Sequence, residues 1–411
     1  MNLLYNLVAV QPIHNAKFHG GGSYGEELFW ALLKHYDPNH RGLVLPDEGA
    51  PVFQNKETKI YCIYDSKKYL SSSIIAACKK NDISIFDINE SSPQEIINKY
   101  AINTFYTPLY SLEKKWKIEV ERFVFTWHGV RALEMHYSGL GVSFAKSFSQ
   151  KIEALVRYRE CWKKYFYKPK YQLLAKRIAE GKVQAMTVSE HSRASIKGFF
   201  PELIDIEIPV FYSPMAENVA KGILPKETGG KRYFLLTSGA RWEKNNLRAV
   251  VAFDELISSW IAQNKEFNFK IIVTGVTNKK NYTKKIRHHE NFIFLNYVEN
   301  EELELLHQNA YAFIFPSLNE GFGYPPIQSM RYGVPVAASG TTSIPEICEN
   351  AALYFDPYSI SEIKNRLIQL LDPRIYKDYS ARAKQRYREV SQRQKEDLEK
   401  AVDFILNAFL F

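Results

Sequence analysis

Ala312-Phe313-Ile314-Phe315-Pro316-Ser317-Leu318-Asn319-Glu320-Gly321-Phe322-Gly323-Tyr324-Pro325-Pro326 is the stretch that decides the fold. Its first four residues are apolar without interruption, which predicts a strand buried on both faces, as in a parallel sheet covered by helices. The loop that follows ends at Pro325-Pro326, which suit the opening of a helix, where a missing N–H costs nothing. That helix is expected to run through Gln328, Ser329 and Met330, and Gly333-Val334-Pro335-Val336 then starts a strand, Val334–Ala338. Strand, loop, helix and strand in this order define an α/β unit.

The same grammar extends in both directions. In the first half Leu3–Val10, Lys59–Ile63, Ile83–Phe86, Asn103–Tyr106, Phe123–Trp127 and Ala185–Val188 read as strands. In the second half Arg232–Thr237, Phe269–Thr274, Phe292–Leu295 and Ala312–Phe315 do so. The intervals accommodate crossover helices. A chain of 411 residues favours two domains. A stretch with Pro209, Pro214, Pro225 and Gly229-Gly230 marks the break between them. The expectation is α/β, two Rossmann-like doubly wound domains facing across a cleft. The first covers 1–210 and the second 211–395, with a terminal helix over 396–411 packing back toward the first. In such folds ligands bind at the carboxyl ends of the strands.

Three loops carry the chemistry. A glycine-rich turn leading into a helix offers backbone N–H groups and the positive end of the helix dipole, a ready site for a pyrophosphate. Gly321, Phe322, Gly323 and Tyr324 form that turn, and Glu320 within it can accept hydrogen bonds from sugar hydroxyls. Eight helical residues span about 12 Å, so Glu320 and Gln328 can grip opposite ends of one ligand. The second loop, Ser238-Gly239-Ala240-Arg241-Trp242-Glu243-Lys244-Asn245-Asn246, sets two cations beside a helix start, where they can hold a diphosphate. The third, His19-Gly20-Gly21-Gly22-Ser23-Tyr24-Gly25-Glu26, follows the first strand and precedes a helical run. His128, in Phe125-Thr126-Trp127-His128-Gly129-Val130-Arg131, ends a buried strand and is expected to point into the cleft. His14, His136 and His191 make weaker cases, and Ser189 reads as a helix cap.

Glu320-Gly321-Phe322-Gly323-Tyr324-Pro325-Pro326-Ile327-Gln328, with Met330, Gly333-Val334-Pro335-Val336 and Ile344-Pro345-Glu346, resembles the donor-binding signature of glycosyltransferase family four. The family pattern is Glu, seven residues, Glu; here Gln328 stands at the second position, a neutral amide in place of a carboxylate. The resemblance implies a retaining hexosyltransferase of the two-Rossmann GT-B type, acting without an essential metal or other cofactor on a UDP- or GDP-linked sugar. It implies Glu320 at the donor sugar, Gln328 at the ribose, and Arg241, Lys244 and Asn245 at the phosphates, with Ser238 and Gly239 in the same loop. Gly21 and Gly22 would border acceptor and donor phosphate, and His128 would approach the donor sugar. Tyr297, Val298 and Leu303 would hold the nucleobase through backbone and apolar contacts. The resemblance is dense over about 232–357 and thinner before it. The acceptor it implies is a carbohydrate or lipid-linked one, in cell-surface polysaccharide or lipopolysaccharide assembly. A nucleotide-sugar 2-epimerase on the same fold and a non-enzymatic polyanion-binding protein are the alternatives.

Composition fits this frame. Hydrophobic residues make up 45% and charged ones 24%, as in ordinary globular proteins. Cys62, Cys78, Cys161 and Cys348 stand far apart and read as thiols of a reducing compartment, so a cytoplasmic location is expected. Neither a signal peptide nor a membrane span is read from the sequence, and no metal-ligand spacing is found. The net charge of +9 permits acidic partners. Residues 145–179 hold ten Lys or Arg against Glu153 and Glu160, interleaved with Phe148, Tyr158, Trp162, Tyr165, Phe166, Tyr167 and Tyr171. They read as a solvated helix with an aromatic core face, or as a peripheral contact with anionic membrane. Nucleic acid is not expected as a partner.

Overall fold

The computed structural model describes residues 1–12, 20–37, 42–43, 58–110, 116–136, 138–145, 147–156, 159, 163–216 and 218–407. His14, His19, Lys146, Arg157, Tyr158, Glu160, Cys161 and Trp162 lie outside the described residues. The chain divides into two compact units. One is Met1–Gly129, Tyr171–Ala216 and Arg393–Phe411, and the other is Val130–Lys170 and Glu217–Gln392.

Each unit is built on a six-stranded sheet in which every pairing is parallel. The first sheet comprises β1 (Asn2–Asn6), β2 (Lys59–Tyr64), β3 (Ser84–Asp87), β4 (Thr104–Thr107), β5 (Arg122–Trp127) and β6 (Gln184–Thr187). The second comprises β7 (Arg232–Leu236), β8 (Phe269–Val273), β9 (Phe292–Phe294), β10 (Ala312–Phe315), β11 (Val336–Ser339) and β12 (Ala352–Phe355). The strand orders are β3-β2-β1-β4-β5-β6 and β9-β8-β7-β10-β11-β12, so both units carry the doubly wound Rossmann order. The central strands β4, β10 and β11 are buried throughout, because helices cover both sheet faces.

The differences from the sequence reading have local causes. β1 stops at Asn6 instead of reaching Val10, because the Asn6 side chain accepts the Val8 N–H (3.0 Å) and starts a 3-10 turn over Leu7–Ala9. Gly20 to Glu26 form no loop: the helix Gly20–Lys34 begins at Gly20, so Gly21 and Gly22 lie in its first turn. Tyr24 and Leu28 on that helix are buried and draw it onto the sheet. β11 begins at Val336, since Pro335 has no N–H for the ladder, and Gly333 (φ +71°) closes the preceding helix in a left-handed cap. β12 was not anticipated; it is four residues long and follows a 3-10 turn over Glu349–Ala351.

Residues 130–170, inside the 1–210 span expected of the first domain, cluster with the second unit. Packing explains this. Gly141 lies so close to Trp242 and Ala154 that an added Cβ would sit 3.4 and 3.3 Å from them, and Phe144 meets Tyr282 edge-on at 5.8 Å. Within 145–179, the helix Phe148–Val156 buries no residue, and Phe148 and Tyr165 are exposed, so the aromatic core face expected there is absent at these positions. Tyr171 does pack inward, stacked on Trp127.

The helix Pro373–Leu406 ends within the first unit. The last carbonyls of a helix have no partner within it. Here Arg122 supplies one, donating to the carbonyl oxygens of Phe404 and Ile405. Arg122→Ala is expected to lower stability by about 1–3 kcal/mol by stranding these carbonyls, measured as a reduced urea midpoint with an unchanged m-value.

Candidate functional site

In a doubly wound sheet the crevice opens where the strand order reverses, here between β7 and β10 of the second unit. The loops leaving these two strands carry the two strongest sequence signals. The structure joins them through one contact: Lys244 Nζ donates to Glu320 Oε1 at 2.6 Å, across 76 residues of sequence. Both side chains are nearly sealed from solvent, at 8% and 10% exposure. Ser317 Oγ also donates to Glu320 Oε1, so both contacts fall on one oxygen. Burial pushes the Glu320 carboxyl up, but Lys244, Arg131 and the hydrogen bonds outweigh it and hold it below the usual range, ionised at neutral pH.

The loop that holds Glu320 is braced from behind. Thr342 Oγ1 accepts the Glu320 N–H (3.1 Å), and Ser343 Oγ lies 3.0 and 2.7 Å from the carbonyl oxygens of Glu320 and Phe322. Phe322 is buried and Gly321 and Tyr324 half-buried. Gly323 has φ +123°, a backbone form that favours glycine, and a Cβ there would meet nothing within 4 Å. The helix Tyr324–Arg331 follows at once, as expected, with prolines in its first turn.

The remaining site residues have partners within the protein. Arg241 is bound to Glu243 (2.7 Å), which also faces Arg131 at 3.7 Å. The Gly239 N–H is committed to the Thr274 carbonyl (2.7 Å), so it is not offered to a phosphate. Gly239 is required by packing, since a Cβ would fall 2.5 Å from Val276. Ser238 adopts φ +62° and turns the chain there. Asn245 is buried in a left-handed conformation; its amide donates to the Pro357 carbonyl (2.7 Å) and its oxygen accepts from Arg248. Tyr297 is exposed, and Val298 and Leu303 are half-buried. Gln328 Nε2 donates to Glu304 Oε1 at 2.9 Å. Glu304 is 1% exposed, takes a second bond from Tyr332 Oη (2.8 Å), and burial raises its carboxyl above the usual range.

The first unit has its own reversal, between β1 and β4. His128 follows β5, and its Nε2 sits 2.8 Å from the Pro108 carbonyl, which fixes the ring proton on Nε2. Gly25 approaches the same proline, where a Cβ would lie 2.7 Å from its ring, while Gly21 and Gly22 lead the helix. Ser189 caps the helix Glu190–Phe199 through the Ser192 N–H.

Sequence reasoning missed Glu243, Ser317, Asn319, Thr342 and Ser343, although all lie in or beside the quoted motifs. It also missed Arg131, which reaches Asn319 (3.4 Å) and Glu243, and Glu304, which reads as one of several solvated acids on a helix. Beside Gly239, a cavity of about 470 Å³ is lined by Ser143, Phe144, Thr277, Asn278 and Asn281, hydroxyls and amides with one aromatic face. Among the described residues no group of three or more His, Cys, Asp or Glu is placed to hold a metal ion, and no helix is long and apolar enough to cross a membrane.

Comparison with known proteins bears on this site. Residues 225–406 match the family described as "Glycosyl transferases group 1", a span that contains Lys244, Glu320 and Gln328. The chain is 29% identical over 198 residues to O-antigen chain mannosyltransferase RfbU of Salmonella typhimurium, covering 47% of this chain and 52% of that protein. It is 41% identical over 78 residues to O-antigen chain mannosyltransferase B of Escherichia coli, covering 19% and 20%. The matches thus span about half or less of these curated relatives. Among solved structures, a glycosyltransferase from Rickettsia africae superposes with a TM-score of 0.59 at 14% identity, covering 99% and 98% of the two chains. WaaG, a glycosyltransferase involved in lipopolysaccharide biosynthesis, gives 0.56 at 12%, covering 99% and 100%. Anabaena Alr3699/HepE in complex with UDP and glucose gives 0.59 at 12%, covering 99% of each chain. The fold is therefore that of glycosyltransferases built from two Rossmann-like units.

Two predictions follow from the geometry. Removing one partner of a buried ion pair costs about 3–5 kcal/mol, so Lys244→Met and Glu320→Leu are each expected to lose that much stability. The pair Lys244→Met/Glu320→Leu should lose far less than the sum, as read by urea denaturation in a double-mutant cycle. Glu243 is held down at about 2, burial opposing and Arg241 and Arg131 prevailing. Its folded value lies below its unfolded one, so its contribution is complete above pH ~4.5 and fades as pH falls toward 2. Screening through the half-exposed arginines limits it to about 1 kcal/mol. Glu243→Gln should show that deficit at pH 7 and a narrowing one below pH 4.5.

Proposed function

We propose that this chain is a retaining glycosyltransferase. It moves a hexose from a UDP- or GDP-linked donor to a carbohydrate or lipid-linked acceptor in lipopolysaccharide or related polysaccharide assembly. The observation that carries the reading is the buried Lys244–Glu320 pair at the strand-order reversal of the second unit, beside the open space at Gly323. The relatives named as O-antigen mannosyltransferases and the UDP and glucose held by a structure of the same fold support it.

In this reading the donor diphosphate lies along the glycine turn and the N-terminal end of the helix Tyr324–Arg331. Lys244, with Arg241 after exchange of its Glu243 partner, balances the phosphate charge. Glu320 Oε2, which takes no hydrogen bond from the described residues, receives a sugar hydroxyl. The bond from sugar C1 to the phosphate oxygen breaks, its electron pair leaving with the diphosphate. The acceptor oxygen bonds to C1 on the same face, and its proton passes to the departing phosphate. These charges need no metal to balance them. The neutral hydroxyl and amide lining beside Gly239 suits an acceptor sugar.

The same reading places the enzyme in the cytoplasm against an anionic leaflet. Phe148, Ile152 and Leu155 form one exposed stripe at helical spacing, and Lys151, Lys164 and Lys168 are exposed in the same segment.

A thermal-shift panel of nucleotides and nucleotide sugars tests the proposal. A donor present at about 100 times its Kd adds roughly 2.7 kcal/mol, enough to raise the melting temperature by several degrees, and the two GDP- or UDP-linked classes should separate. A flat response to every nucleotide would discard the reading. Turnover by Lys244→Met/Glu320→Leu, a variant chosen to keep the fold, should fall at least a hundredfold.

A further inference from the structure

Gln328 stands where the family signature has a carboxylate, and the structure supplies a physical reason for the exchange. Glu304 lies buried within hydrogen-bond distance of it, so a carboxylate at 328 would bring a like charge against one that is withdrawn from water. We propose that Glu304 is the positioning residue for Gln328: it holds the amide in one orientation, with nitrogen inward and oxygen outward, and so makes position 328 a pure acceptor for a ribose diol.

The orientation follows from the chemistry of the partners. Glu304 takes the Tyr332 hydroxyl on Oε2, and Arg331 Nη1 lies 4.0 Å from Oε1. Glu304 thus accepts on both oxygens, from the Tyr332 hydroxyl on one and from Gln328 Nε2 (2.9 Å) on the other, so the end of Gln328 that faces it is the NH2 group. The other end, Oε1, takes no hydrogen bond from the described residues, and Gln328 is half-buried instead of sealed. A free glutamine side chain offers donors and acceptor with little preference; this one is fixed by its neighbour. An outward oxygen recognises hydroxyl groups that donate, as the 2′- and 3′-hydroxyls of a ribose do. The inference rests on the donor reading above and adds to it the residue that decides which atom of Gln328 is turned outward.

The test is isothermal titration of UDP against dUDP and GDP against dGDP, with melting temperatures, on the wild type, Glu304→Gln, Gln328→Glu and the exchange Glu304→Gln/Gln328→Glu. The wild type should favour the ribonucleotide about fivefold or more. Glu304→Gln frees the amide to turn either way, so the preference should shrink to about twofold or less while deoxynucleotide affinity stays the same. Gln328→Glu alone should melt lower, because two carboxylates then meet. The exchange, which restores one amide beside one carboxylate, should recover both the melting temperature and the ribose preference. A ribose preference that survives Glu304→Gln, or ribo- and deoxynucleotide affinities that fall in parallel, would overturn the positioning role. A wild type that binds no nucleotide at all would overturn the donor reading, and this inference with it.

Discussion

The second unit is organised around a charge pair that cannot be left unmatched. Lys244 and Glu320 come from loops 76 residues apart and are both withdrawn from water. Taking two ions out of water costs several kcal/mol each, and the cost is recovered only when geometry is tight and the remaining valences are filled. Ser317 adds a second bond to the paired carboxylate oxygen, and Thr342 and Ser343 brace the Glu320 backbone, while Oε2 takes no bond from the described residues. The strand order places both loops at one spot, and the pair in turn fixes how the loops leave β7 and β10.

This explains why the motifs were readable and their wiring was not. The strands of both sheets announce themselves as apolar runs, because parallel strands covered on both faces have no polar side to show. All six strands of the first sheet and five of the second fall where the sequence puts them, within a few residues. β12 escaped because four residues after an irregular turn give little pattern. The glycine turn at 321–323 and its helix were equally plain, since proline and glycine have strict backbone demands. What a single sequence hides is partnership at long range. Glu304 sits in a helix dense with acids and gives no hint that it alone is buried against Gln328, and Arg131 gives no hint that it reaches Glu243.

The same limit applies to the polar atoms of the loop after β7. Gly239 and Asn245 match a phosphate-binding loop by type, yet the structure spends the N–H of one and the amide of the other on the protein itself. A left-handed residue such as Asn245 is chosen for its backbone, and its side chain then finds the nearest carbonyl. Residue type marks where a loop must bend; the structure decides which of its polar atoms are left over for a ligand.

The path of the chain has a further consequence. It passes from one unit to the other four times, and the arm at 130–170 belongs with the second unit although it lies among the residues of the first. Arg131 and the helix containing Gly141, seated against Trp242, travel with the front of the gene but serve the back of the protein. Recombination between related genes at the proline-rich stretch near 216 would therefore join a new second-unit sheet to an arm shaped for the old one. Exchange of halves is not neutral in this architecture, and the arm and the loop beneath it must change as a pair.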